Sequence, residues 1–281
     1  MDECTLLKTI YSTSTLKPPI TIGPGDDMGE LVVGKENILC AVDQLVVSVH
    51  VHQDTSPELI GRKAVGRCFS DIAAMAAEPI ASLMTACVPV ETPNQWCEKV
   101  FSGAKEVAQK WGGPIIGGDI SSGKGTSVFT VTAIARPKLK SILRTGAKEG
   151  DYVCVTGELG NSIAGHHLSF TPRISESQEL LQTLGDNLHS MIDISDGLGI
   201  DASRLSSREL QLEIDTCLLP LRNGATIENA ISDGEDYELL FTSAIKPPKE
   251  LATVIGTVKQ GNNKVITTDG TVIANCGWNH E

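Results

Sequence analysis

The sequence predicts an α+β protein built as two domains. Strand-like and helix-like segments mix without a strict βαβα rhythm, which argues against a doubly wound sheet. The chain of 281 residues suits one large domain or two of ordinary size. A break falls at KLKSILRTGAKEGD, placing an N-terminal domain at 1–137 and a C-terminal domain at 138–281.

The elements follow in order. ILCAVDQLVVSV (38–49) reads as a strand buried on both faces. ELIGRKAVGRCFSDIAAMAA (58–77) has helical period, with Ile60, Ala64, Cys68 and Ile72 four apart, and Glu78-Pro79 closes it. SLMTACVPV is a second strand. TPNQWCEKVFSGAKEVAQKWG is a helix with Thr92 as N-cap, Pro93 at its first position and Gly112 at its end. GPIIGGD and SVFTVTAIARP are strands. Beyond the break, YVCVTG is a strand, ELGNSIAGHHLSF a turn and helix, and MIDISDG a strand. DASRLSS continues as helix, and QLEIDTCLLP and DYELLFTSA are strands.

Charge narrows the function. The formal net charge is −12, so the chain repels nucleic-acid phosphate and anionic membrane surfaces. An anionic ligand therefore needs cations between it and the protein. No apolar run is long enough to span a membrane, and the N-terminus lacks a signal-peptide pattern. None of the eight cysteines forms a CxxC pair, which disfavours a zinc site. Most lie in apolar contexts such as ILCAV and read as small buried hydrophobes in a cytoplasmic protein.

Acids recur beside glycine or serine at the edges of apolar segments. They are Asp26 and Asp27 in IGPGDD, Asp43 in AVDQL, Asp71 in FSDIAAM, Asp119 in IIGGDIS, Asp193 and Asp196 in MIDISDG, and Glu235, Asp236 and Glu238 in DGEDYELLF. Singly, each reads as turn chemistry or a local pair, such as Asp71 with Arg67 one helical turn back. Asp43 resists that reading, as the only charge in its apolar strand. A buried unpaired carboxylate costs several kcal/mol, and few basic residues lie near these motifs in sequence. Hard oxygen ligands without a His/Cys cluster point to Mg²⁺, with Mn²⁺ as substitute. Mg²⁺ held by scattered carboxylates usually bridges to substrate phosphates. GELGNSIAG (157–165) has the look of a phosphate-cradling loop, but GxxxxGK[ST] is absent. His50 and His52 lack a third ligand nearby, so a hydrogen bond from His50 to substrate or backbone is favoured over a metal.

Taken in order, IGPGDD, AVDQL…VH, GRKAV…FSDIAAM, IIGGDIS, LRTGAKEGDYVCVTG, MIDISDGL and GEDYELLF resemble the thiamine-monophosphate kinase family. That family shares a superfamily with aminoimidazole ribonucleotide synthetase, selenophosphate synthetase and a hydrogenase-maturation protein. The resemblance implies a two-domain α+β fold whose N-terminal α/β domain, with a mixed sheet, pairs into a homodimer, with ATP in a cleft near the dimer interface. It implies Asp27, Asp43, Asp71, Asp119, Asp193 and Asp196 as magnesium ligands. Gly118, Asp119, Arg144 and Ser195 match nucleotide contacts, and His50, Glu235 and Trp278 match positions that hold thiamine phosphate. The implied reaction moves the γ-phosphoryl group of ATP onto thiamine monophosphate, without a covalent phosphoenzyme.

Departures from the family pattern cluster near Asp43. Ala41 and Val42 stand where hydroxyl residues are usual, Gln44 replaces a usual Thr, and Cys68 a usual Asn. Two alternatives remain beside the kinase: another ATP-using enzyme of the superfamily, and a thiamine phosphate-binding relative that has lost turnover.

Overall fold

A computed structural model describes residues 3–207 and 209–278. The first half opens with α1 (Glu3–Thr13), β1 (Ile20–Ile22), β2 (Gly29–Val33) and β3 (Glu36–Val46). It continues with α2 (Pro57–Ala74), β4 (Ala77–Pro89), α3 (Asn94–Lys110), β5 (Ile115–Gly123) and β6 (Val128–Pro137). The strands form one mixed sheet in the order β1-β2-β3-β6-β4-β5, in which only β4 and β5 run parallel.

The second half holds β7 (Tyr152–Val155), α4 (His166–Ser169), α5 (Ile174–Leu184), β8 (Leu188–Asp193), α6 (Leu198–Leu205) and β9 (Leu210–Ile214). It ends with α7 (Ile227–Ser232), β10 (Leu239–Ser243), β11 (Thr253–Gln260) and β12 (Lys264–Thr267). Its sheet runs β12-β9-β11-β7-β10-β8, and β12 pairs with β9 in parallel. No helix or strand lies between Pro137 and Tyr152. None of the described helices is long and apolar enough to cross a membrane.

Helix α2 places the site. It packs on β3, β4 and β6 of the first sheet and also on β8, α4 and α5 of the second half. That is why Val65, Phe69 and Ala73 are buried as well as the row Ile60, Ala64, Cys68 and Ile72. It crosses α3 at backbone distance through two glycines. A Cβ on Gly61 would lie 1.9 Å from the Val100 carbonyl, and one on Gly103 2.2 Å from that of Glu58. Any side chain at either position would push the helices apart.

Four local expectations change. Strand β3 is buried on one face only: Leu39, Ala41 and Leu45 face the core, while Val42 is 65% exposed. Glu78-Pro79 does not close α2. Ala76 turns the chain at φ 50°, and both residues already lie in β4. Pro93, rather than Thr92, is the N-cap of α3. The cysteines are less buried than their sequence contexts imply: Cys68 and Cys154 are buried, whereas Cys87 and Cys217 are exposed.

Candidate active site

The site carboxylates come from several kinds of position: Asp27 from the turn before β2, Asp43 from within β3, Asp71 from within α2 and Asp193 from the end of β8. Strand β8 ends at Asp193, which is 3% exposed. The following turn is held by Asp201 on α6, whose Oδ2 accepts from the backbone N–H groups of Ser195, Asp196 and Gly197 at 2.9–3.2 Å. Arg204 donates to both Asp201 and Asp196, at 2.5 and 2.6 Å. The GEDYE segment is laced to the same turn: Glu235 N–H donates to Ser195 O and Tyr237 N–H to Ile194 O. Glu235 and Tyr237 hold left-handed φ values of 55° and 51°. Such strain persists where surrounding contacts fix it, commonly at binding sites.

A cavity of about 560 Å³ opens between the halves. Asp43 and Asp71 line it from the first half, and Asp193, Ser195 and Asp196 from the second. His50, Glu235 and Trp278 stand in the same wall. Ligand oxygens of Asp27, Asp71 and Asp193 all lie within 4.8 Å of one another. One oxygen of Asp27, Oδ2, is buried without a hydrogen-bond partner; the other accepts from Arg144 Nη2 at 2.7 Å. Desolvation and the Asp27 charge push the Asp193 carboxyl up to about 7, against the hydrogen bond from Ser70. Desolvation and the Asp193 charge push Asp71 well above its usual range. Clustered carboxylates that resist ionising together, one with an orphaned oxygen, fit a hard divalent cation. Asp27, Asp71 and Asp193 thus form a group that could hold a metal ion.

Asp43 differs. Both its oxygens accept from Arg67, from Nε at 3.0 Å and Nη2 at 3.2 Å, and Oδ1 also accepts from Gln44 N–H. Arg67 thus pairs with Asp43 rather than with Asp71. The expected scarcity of basic residues near the acids does not hold: Arg144 meets Asp27, Arg204 meets Asp196, and Arg222 meets Asp236.

Gly118 and Asp119 lie elsewhere. In register, Asp43, Val131, Met84 and Gly118 form one row across the sheet, and Gln44, Thr130, Thr85 and Asp119 the next. Edge strand β5 is three strands from β3, roughly 14 Å at ~4.8 Å per strand. Asp119 is exposed there. Gly118 lies against β4, where a Cβ would be 1.8 Å from the Met84 carbonyl. The GELGNSIAG loop is no open anion cradle, since its Gly160 and Asn161 N–H groups already donate to Asp236 and Asp233.

His50 sits in the turn after β3. Its Nδ1 accepts from Val46 N–H at 2.8 Å, leaving the proton of the neutral ring on Nε2. Burial and the Arg67 charge lower its pKa to about 4, so it is neutral at pH 7. Beneath it lies Lys63, fully buried, which the sequence reading missed. Its Nζ donates to His50 O at 2.6 Å and Glu235 Oε2 at 2.7 Å, and lies 2.7 Å from His167 Nδ1. Burial opposes ionisation of Glu235, but His167 and Lys63 outweigh it and hold the carboxyl at about 2. Burial lowers Lys63 only to about 8, so the pair is ionised at pH 7. Trp278 is half exposed, and its N–H donates to Asp196 O at 2.8 Å. Residues 279–281 lie outside the described part.

Comparison with known proteins gives concordant matches. Residues 25–136 match the N-terminal domain of AIR synthase related proteins. A thiamine-monophosphate kinase from Rhodopirellula baltica is 35% identical over 260 residues, 85% of this chain and 80% of that protein. One from Aquifex aeolicus is 30% identical over 295 residues, 91% of this chain and 92% of that protein. The solved structure of AaThiL complexed with AMPPCP and TMP has a TM-score of 0.88 at 28% identity, covering 100% of this chain and 97% of that one.

Proposed function

This chain belongs to the thiamine-monophosphate kinase family, and from that premise we propose that its cavity joins ATP to thiamine monophosphate, giving ADP and thiamine diphosphate. The observation that carries the reading is a single cavity lined by Asp71 and Asp193 of the acidic cluster and by His50, Glu235 and Trp278. Two polyanions must meet in an acidic protein, so the chemistry is mainly positioning and charge compensation. Asp27, Asp71 and Asp193 would hold Mg²⁺, which neutralises phosphate charge when bound, and Asp196 extends the acidic rim.

The chain's own residues do the rest. Arg144, fixed on Asp27, adds permanent positive charge beside the nucleotide phosphates, and Ser195 offers a hydroxyl in the cavity wall. His50, neutral and in the cavity wall, would contact the substrate. Glu235, kept ionised by Lys63 and His167, supplies a fixed negative charge that suits the cationic thiazolium. Trp278 forms an aromatic wall. We further propose a homodimer formed through the first sheet, whose edge strand β5 exposes Ile116 and Ile120. Gly118 and Asp119 on that strand would then meet nucleotide only in the assembled dimer. The cytoplasm, which holds ATP and Mg²⁺, is the compartment the reaction requires.

Incubation with ATP, Mg²⁺ and thiamine monophosphate should yield thiamine diphosphate and ADP in equal amounts. Nucleotide binding without product would instead make the chain a binding relative.

A further inference from the structure

We propose that Arg67 is a built-in cation of the phosphoryl-transfer site: it neutralises Asp43, so that no divalent ion binds there, and it donates a hydrogen bond to phosphate. The inference deepens the kinase reading and rests on it. Three observations carry it.

First, the two acceptors of Asp43 are both engaged. The guanidinium grips them in a two-point fork at 3.0 and 3.2 Å, and Gln44 N–H adds a further bond to Oδ1 at 2.9 Å. A Mg²⁺ ion at about 2 Å from either oxygen would have to displace this fork or take a remaining lone pair directly beside a fixed guanidinium cation, which repels it. The full charge of Asp43 is already met. Asp27 presents the opposite case, with a buried oxygen that has no partner.

Second, Arg67 has donor capacity to spare. Its side chain is 14% exposed and lines the cavity with Asp71 and Asp193. Nε and Nη2 serve Asp43, while Nη1 has no hydrogen-bond partner among the described residues. A planar guanidinium holding a carboxylate on one edge can still donate to phosphate from another.

Third, the group is held in place. Arg67 lies on α2 one helical turn before Asp71, so the arginine and a cluster carboxylate project from the same side of one buried helix. The Asp43 fork fixes the plane of the guanidinium. A donor fixed in advance loses little freedom when phosphate arrives, and so favours the charge spread over the transferring group. No bond to Arg67 forms or breaks, and its proton stays in place throughout.

The test counts bound metal directly. Mn²⁺ is titrated, with electron paramagnetic resonance detection, into the full chain saturated with a non-hydrolysable ATP analogue. Wild type, Asp43→Asn, Arg67→Leu and the double variant are compared. Asp43→Asn should bind as many ions as wild type. Arg67→Leu should bind one more, and the double variant should lose that extra ion. An ion lost from Asp43→Asn alone would overturn the proposal, as would an unchanged count in folded Arg67→Leu. The phosphate contact is read in the Asp43→Asn background, where no ion can replace the arginine. There, adding Arg67→Leu should weaken analogue affinity about tenfold, the scale of one charge-assisted hydrogen bond. Unchanged affinity would overturn that contact. Because ion counts need no turnover, the thiamine diphosphate assay on wild type tests the kinase reading separately.

Discussion

Ser70 Oγ donates to Asp193 Oδ2 at 2.6 Å, with both residues buried, and so ties helix α2 of the first half to strand β8 of the second. This bond supports a carboxylate that its surroundings otherwise penalise. Ser70→Ala should destabilise the metal-free protein by about 1–3 kcal/mol at pH 8, the usual result of orphaning a buried acceptor. The deficit should shrink at pH 6, where Asp193 takes up a proton instead. Urea unfolding at the two pH values measures both, and a loss that ignores pH would place the effect in packing.

Asp71→Asn and Asp193→Asn should each raise the melting temperature of the metal-free protein. Each removes one charge from a cluster whose members repel, while keeping the side chain's size. Each should also abolish the stabilisation that Mg²⁺ gives wild type, because an ion that binds only the folded state raises its stability by mass action. Calorimetry with and without MgCl₂ decides. A variant that keeps the full metal-induced shift does not hold the ion.

The pH dependence follows from Asp193. Its carboxyl has an ordinary value of 3.8 and is raised to about 7 in the fold. Between those values the folded protein binds more protons than the unfolded chain, so stability falls as pH rises, and the loss is complete above the folded value. His50 and His166, lowered to about 4, act in the opposite sense, but mainly below their ordinary 6.5. Metal-free protein should therefore melt higher at pH 6.5 than at pH 8, and Asp193→Asn should lessen the difference. Saturating Mg²⁺ should flatten it, since the ion favours the ionised carboxylates. A metal-free melting temperature that climbs from pH 6.5 to 8 contradicts this account.

Lys63→Met should cost about 3–5 kcal/mol, because it takes the ammonium from a partly buried Glu235 and leaves only His167 beside it. Adding Glu235→Gln should recover part of that loss, since the stranded charge disappears with it. Denaturant curves for the two single variants and the double variant give the coupling. Strict additivity would mean that Lys63 acts through His50 and His167 rather than Glu235.

These residues also show what the sequence could reveal. The acids at Asp27, Asp71 and Asp193 were legible because each breaks an apolar segment beside glycine or serine. The row Ile60, Ala64, Cys68, Ile72 gave α2 its period. The second row of the same helix, Lys63, Arg67, Ser70 and Asp71, was read for its aspartate and, wrongly, for an Arg67–Asp71 pair, while Lys63 and Ser70 went unread. Its partners arrive from far along the chain: 172 positions separate Lys63 from Glu235, and 123 separate Ser70 from Asp193. Helix α5 left a readable signal in Ser177, Leu180, Leu181 and Leu184, a complete buried face that went unused. The burial of β3 was misjudged for another reason. Hydrophobicity marks Val42 as apolar but does not reveal whether its own chain covers it.

Trp278 closes the described chain at the cavity wall, half exposed, its backbone N–H anchored on Asp196 O. Gly277 allows that approach: with φ 159° it lies so near the turn that a Cβ would be 2.4 Å from the same carbonyl. A terminal Trp that only packed would show its effect in stability. One whose ring faces a cationic thiazolium gains about 2 kcal/mol or more when that cation is desolvated. Trp278→Ala should therefore raise KM for thiamine monophosphate roughly tenfold or more, at 1.4 kcal/mol per factor of ten. KM for ATP should hardly move if, as proposed, the nucleotide is held through the acidic cluster and Arg144 rather than through this wall. Steady-state kinetics on both substrates separates the roles, and equal changes in the two constants would assign Trp278 to packing of the turn at Asp196.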